Sequence, residues 1–251
     1  MSGHSKWATT KHKKGALDAA RGKLFAKLIR QVEVAAREGG GDPDANPTLR
    51  TMFQKAREAS VPLDTIERAI KRGTGELEGV RYEPVTYEGY APCGVAVIVE
   101  CLTDNRNRAS AEIRAIFTKN GGSMAEPGAV SWQFERTGVV NVGKGPAVDE
   151  DELMLVAADA GAEDVRDSGD AWEVVTPPTA LTAVRSAVEG KGWHVESAEL
   201  TMQPTQTVPI ASEGDARRVL RLVDLLDEHD DVQNVYANFD IPDSVMELVE
   251  V

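Results

Sequence analysis

Residues 136–203 read RTGVVNVGKGPAVDEDELMLVAADAGAEDVRDSGDAWEVVTPPTALTAVRSAVEGKGWHVESAELTMQ. The texture alternates between β-like and helical. A strand at 138–142 leads to a helix at 149–160. Two strands follow, near 162–167 and 171–176, divided by the turn Ser168-Gly169-Asp170. Pro177-Pro178 opens a helix at 179–190, and a strand at 194–201 ends the unit. The order β-α-β-β-α-β is that of a ferredoxin-like domain.

The flanks read as a second, interrupted copy of that order. Strands at Val85–Tyr90 and Val95–Thr103 are split by Ala91-Pro92-Cys93-Gly94. A helix over 106–120 turns Ala109, Ile113, Ile116 and Phe117 inward and ends at Gly121-Gly122. A strand at Ala129–Phe134 closes this part. It lacks a second helix and a last strand. Residues 207–211 (strand), 213–228 (helix, with Ala216, Val219, Leu220, Val223 and Leu226 on one face) and 234–241 (strand) supply them. The 136–203 unit is therefore expected as an insertion. The middle domain is 81–135 with 204–251, and an amino-terminal part spans 1–80. The fold class is α+β: a small helical domain followed by two ferredoxin-like α/β domains, the third inserted into the second.

The amino-terminal part has no hydrophobic period over residues 1–15, which suggests a flexible basic arm. From Ala16 the apolar residues Leu17, Ala20, Leu24, Phe25, Leu28, Ile29, Val32, Ala35 and Ala36 recur at helical spacing. Lys23, Lys27, Arg30 and Arg37 fall opposite. Gly39-Gly40-Gly41 ends the helix. Asn46-Pro47 reads as N-cap and first residue of the next, which Pro62 breaks. A third helix spans about Leu63–Arg72, and Gly73 is expected to stop it.

Charge is distributed unevenly. Residues 1–37 hold nine Lys or Arg against two acids, a net of +7, whereas the chain as a whole carries −13. The remainder therefore carries −20, and a polyanion would meet the amino-terminal end. The candidate nucleic-acid contacts are Lys6, Trp7, Lys11, His12, Lys13, Lys14, Arg21, Lys23, Lys27, Arg30, Arg50, Arg68, Lys71 and Arg72. The cations would hold phosphates, and Trp7 and His12 could touch bases or sugar edges. Asp104-Asn105-Arg106-Asn107-Arg108 lies between strand and helix. Asn105 or Asp104 can cap that helix, but Arg106 and Arg108 oppose its dipole. They point to an external anion or partner, so Asp104, Asn105, Arg106 and Arg108 form a candidate partner site.

Other chemistry finds little support. Cys93 and Cys101 make neither a disulfide framework nor a zinc site. Asp42-x-Asp44-x-Asn46 imitates a calcium loop, but Pro47 and Phe53 occupy the positions that need Gly and Glu. No phosphate-loop, nucleophile-elbow or zinc-protease motif occurs. The chain reads as no enzyme, with no cofactor and no metal. No apolar run approaches a membrane span, and a cytoplasmic location is expected.

Several strings resemble the YebC/PmpR family, which includes the mitochondrial translational activator of cytochrome c oxidase. They are Gly3-His4-Ser5-Lys6-Trp7, Lys11-His12-Lys13-Lys14, Arg21-Gly22-Lys23, Gly40 to Pro47, Ile66 to Gly73, Tyr87 to Tyr90, Glu100 to Arg108, Lys119 to Gly122 and Asp231 to Tyr236. Two positions depart from the family pattern: Thr10, usually aliphatic, and Cys93, usually Gly. The resemblance implies a three-domain α/β protein with a helical amino-terminal domain. It also implies one of two roles. One is a transcriptional regulator that binds DNA. The other is a ribosome-associated translation factor that binds ribosomal RNA and relieves stalling at proline-rich nascent peptides. No helix clearly rich in base-reading side chains is evident, which favours contact with the nucleic-acid backbone. A further possibility is a protein-interaction module whose acidic domains bind a basic partner. The oligomeric state is left open.

Overall fold

The computed structural model describes residues 18–145, 148–169 and 171–249. These fall into two compact units. One runs to Ala129 and resumes over Arg217–Val235. The other is Val130–Ala216 with the chain from Tyr236 on.

The first unit begins with three helices: α1 (Asp18–Gly39), α2 (Pro47–Glu58) and α3 (Leu63–Thr74). Their apolar stripes meet in one core, where Leu28, Val32, Leu49, Ala56, Ile66 and Ala69 are buried. Gly40, at φ 88°, turns the chain out of α1. Asn46 then does two jobs. Its Oδ1 accepts the Leu49 N–H at 3.0 Å, and its Nδ2 donates to the carbonyls of Ala35 (2.8 Å) and Gly40 (2.9 Å). One buried amide thus caps α2 and ties it to the end of α1. Gly73 does not stop α3. The helix runs on to Thr74, and Gly75, at φ 85°, is its left-handed cap. A Cβ on Gly73 would lie 2.4 Å from the Glu33 carbonyl oxygen and 2.8 Å from Ala36 Cβ. The residue is small because α1 and α3 touch there.

The same unit holds strands β1 (Glu83–Tyr90), β2 (Ala96–Thr103) and β3 (Ser123–Ala125), helix α4 (Arg106–Lys119), and most of a later helix and strand. β1 and β2 pair antiparallel from Glu83↔Thr103 to Tyr90↔Ala96. β3 pairs with the far end of β1, Tyr90↔Ser123. The closing strand expected at 129–134 is absent. Its apolar alternation is that of a strand, but Gln133 N–H bonds back to the Val130 carbonyl at 2.9 Å, forming a 3₁₀ turn at Ser131–Gln133. The third strand of this sheet comes instead from 123–125. There Gly89 and Gly122 allow close approach: a Cβ at Gly89 would lie 2.7 Å from the Ser123 carbonyl. Strand β9 (Val232–Ala237) completes the order β3-β1-β2-β9. α4 buries Ala109, Ile113 and Phe117.

In the second unit, β4 (Phe134–Gly143), α5 (Glu150–Asp159), β5 (Asp164–Asp167), β6 (Ala171–Thr176), α6 (Leu181–Gly190) and β7 (Val195–Pro204) follow one another. The sheet order is β5-β6-β4-β7, with every pairing antiparallel. This is the ferredoxin-like arrangement. Val140, Val142, Trp172 and Val174 from the sheet pack against Leu153, Ala157, Val184 and Val188 from the two helices. A two-stranded parallel sheet of β8 (Val208–Pro209) and β10 (Phe239–Asp240) also lies in this unit. Helix α7 (Glu213–Asp227) begins here and continues in the first unit. A last helix, α8, spans Asp243–Val249. Residues 204–251 divide between the two units. Only Arg217–Val235 joins the first unit, because β9 is the part of that segment that pairs with β2.

Candidate nucleic-acid interface

Arg21 falls in the first turn of α1, and Lys23, Lys27 and Arg30 follow at i, i+4 and i+7. Lys23 is exposed. Its ammonium donates to the Glu228 carbonyl at 3.2 Å. Lys27 donates to the Asp227 carbonyl at 2.9 Å and pairs with Asp227 Oδ1 at 3.3 Å. Arg30 donates to the Asp230 carbonyl and to Asp231 Oδ1, the latter at 3.2 Å. Its guanidinium also lies 5.2 Å from the centre of the Tyr82 ring. One residue further on, Gln31 donates to Gln233 Oε1 at 3.2 Å. The face of α1 expected to lie open to phosphates is thus seated on the C-terminal end of α7 and the loop after it.

The docking has a plain electrostatic cause. The carbonyls at a helix C-terminus carry partial negative charge and want cations. Here the segment Asp227-Glu228-His229-Asp230-Asp231 adds four carboxylates at the same place. Lys27 and Arg30 are largely covered, with side chains only 15% and 19% exposed.

Asp231 is the hub. It is buried, with Oδ1 facing Arg30 and Oδ2 accepting from Thr103 Oγ1 and Arg108 Nη2, each at 2.8 Å. Burial pushes its carboxyl up. The hydrogen bonds from Arg108 and Thr103, with the charges of Arg108 and Arg30, outweigh that and hold it below the usual carboxylate range. Arg108 also pairs with Asp104 at 2.8 Å. Asn105 caps α4 by accepting the Arg108 N–H at 3.1 Å. The Asp231 N–H donates to His229 Nδ1 at 3.1 Å, which leaves Nε2 to donate to Glu112 Oε2 at 2.8 Å. A cleft of about 830 Å³ opens beside this network, lined by Arg30, Tyr82, Arg108, Lys119 and His229 among others. Burial pushes the nearby Cys101 thiol up to about 12, and the Asp231 carboxylate adds to the rise.

The other candidates fare differently. Lys6, Trp7, Lys11, His12, Lys13 and Lys14 lie outside the described residues. Arg50 donates to the carbonyls of Pro43 (2.9 Å) and Asp44 (2.7 Å), bracing the loop before α2. Arg72 pairs at 2.9 Å with the buried Glu33, which also takes Arg37 at 3.3 Å. Arg68 and Lys71 are exposed on α3. Of the proposed partner site, Asn105 is the helix cap and Asp104 and Arg108 belong to the ion network, while Arg106 is exposed. The anion that Arg108 called for is Asp231 of the same chain.

Sequence reasoning missed the acceptors: Asp227, Asp231, Glu112 and the main chain at 228 and 230. The acid run at 228–231 is visible in the sequence. Its meeting with α1 is not, since the bonded residues are about 200 positions apart.

Two family models match the chain. The one described as the TACO1/YebC protein N-terminal domain covers residues 5–76, and the TACO1/YebC second and third domain covers 82–239. The fold is that of a helical domain joined to mixed antiparallel α/β domains. The chain belongs to the YebC family. It is 60% identical over 247 residues to a probable transcriptional regulatory protein of Thermobifida fusca, covering 98% of each chain. It is 55% identical over 251 residues to one from Mycobacterium sp. (strain KMS), covering both in full. Its fold matches the crystal structure of a conserved hypothetical protein, Aq1575, from Aquifex aeolicus. The TM-score is 0.82, the identity 48%, and the match covers 92% of this chain and 94% of that one.

Proposed function

We propose that this chain is a nucleic-acid-binding regulator of gene expression, and not an enzyme. The observation that carries the reading is the segregation of charge, +7 over residues 1–37 in a chain of −13. The relatives named as probable transcriptional regulatory proteins support it. The contact set is Lys6, Lys11, Lys13 and Lys14, joined by exposed Lys23, Arg68 and Lys71. Such cations neutralise phosphates without reading sequence, so binding is salt-dependent and weakly specific.

DNA is the target that the relatives' names favour. One observation favours RNA on the ribosome instead. On α1 to α3, several side chains suited to reading bases are already engaged. Arg50 holds loop carbonyls, Gln54 donates to Glu58, Gln31 to Gln233, and Arg72 to Glu33. That leaves backbone contact as the main mode. Crosslinking in cells, followed by sequencing of the bound nucleic acid, separates the two. Promoter DNA in the recovered pool supports transcriptional control, and ribosomal RNA supports action in translation. Recovery of neither above background ends the reading.

A further inference from the structure

The docking of α1 on the 227–231 segment bears on how that regulator is controlled. We infer that the α1 face formed by Lys23, Lys27 and Arg30 is a second polyanion-binding face, held shut by the chain's own carboxylates until a nucleic acid displaces them. The inference rests on the proposed function and adds regulation to it.

The observations fit a competition. Asp227 and Asp231 present carboxylate oxygens 3.3 and 3.2 Å from Lys27 and Arg30, and the carbonyls of 227, 228 and 230 accept further bonds from Lys27, Lys23 and Arg30. That is the same kind of acceptor array a phosphate backbone offers. While docked, Lys27 and Arg30 spend donors on Asp227 and Asp231 and are mostly covered, so a phosphate gains those donors only by displacing the carboxylates. Lys23 is the exception. It is exposed and, among the described residues, donates only to a carbonyl, so no carboxylate there neutralises it. A nucleic acid drawn in by the amino-terminal lysines would meet Lys23 first, then exchange with the carboxylates at Lys27 and Arg30. The Lys27–Asp227 pair is partly solvated, and pairs of that kind are individually weak, which makes exchange there feasible. The α1–α2–α3 core does not depend on them, because it is built from apolar residues on the other side of α1.

The test uses the full-length protein and a 20-base-pair DNA duplex, with affinity measured across a salt series. The unlatched variant is Asp227→Asn, which removes the carboxylate paired with Lys27. A charge-matched control is Asp151→Asn on α5. Each is paired with Lys27→Gln. Circular dichroism and thermal melting establish that every variant is folded. The expected result has three parts. The unlatched variant binds more tightly than the control. Its salt slope is steeper by about 1 to 2, at about 0.9 per additional phosphate neutralised. Lys27→Gln costs it several-fold more affinity than it costs the control. If Lys27→Gln weakens the control and unlatched proteins equally, the face is already open and the inference is overturned, while the proposed function stands. If the unlatched variant binds and the wild-type chain does not, nucleic acid does not displace the carboxylates and the inference is overturned. If no variant binds the duplex or a folded RNA hairpin, both fall.

Discussion

Arg30 on α1 and Asp231 before β9 face each other at 3.2 Å, and they join the helical part of the chain to the sheet it precedes. Asp231 is shared: its second oxygen is held by Arg108 and Thr103, so three elements converge on one carboxylate. Truncating it leaves Arg30 without its paired carboxylate and Arg108 with Asp104 as its remaining close anion. Asp231→Ala is expected to destabilise the fold by about 2–4 kcal/mol. Chemical denaturation, with the midpoint shifted at unchanged slope, measures this.

The same residue sets a pH dependence. Its folded pKa lies below the ordinary carboxylate value. Its contribution is therefore present above the unfolded value of about 3.9 and is lost as pH falls through the lower, folded value. In Asp231→Asn that component is gone. Melting curves between about pH 5 and pH 2 should fall less steeply for Asp231→Asn than for the wild-type chain. Parallel curves would show that the carboxylate is not held in its charged form.

Gly73 and Gly75 offer a contrast. Gly73→Ala puts a methyl group into the Glu33 carbonyl and Ala36, both backed by the packed helix α1. The expected cost is about 2–3 kcal/mol. Gly75→Ala meets no atom within 4 Å but keeps φ at 85°, a left-handed strain of about 1 kcal/mol. Thermal denaturation ranks the two. The opposite order would mean that Gly73 serves as a helix stop after all.

Cys93 has φ 64° and ψ 13°, the left-handed region that suits glycine. Cys93→Gly removes a Cβ that strains this turn, at the expense of a more flexible unfolded chain. A net stabilisation of about 0.5–1 kcal/mol is expected. A loss of stability would mean that the side chain contributes more than its backbone strain costs.

Much of the fold is legible in local chemistry. The β-α-β-β-α-β order of 136–203 follows from alternation, turn residues and Pro177-Pro178, and the Asn46-Pro47 helix start follows from cap geometry. Local chemistry could not locate β3. Residues 129–134 have the better strand pattern, yet Gly89 and Gly122 open the slot beside β1 to 123–125, which is a tertiary fact. Gly73 misleads for the same reason: a glycine near a helix end serves as a cap or as a close approach between helices, and only the neighbour decides which. The basic stripe of α1 is visible as a stripe. That its partner is Asp227 to Asp231 is not, because the net charges of two distant segments say nothing about which surfaces meet. The electrostatic polarity of the chain is therefore smaller on α1 than the sequence suggests. It rests more heavily on Lys6, Lys11, Lys13 and Lys14.

Those lysines give the most direct measurement. Affinity for a DNA duplex and for a folded RNA hairpin is followed against salt concentration for the full-length chain and for Lys11→Glu with Lys13→Glu and Lys14→Glu. Weaker binding by the variant is expected at low salt, with a slope flatter by about 3, near 0.9 for each phosphate no longer neutralised. Superimposable lines for the two proteins, at every salt concentration and with either nucleic acid, would contradict it.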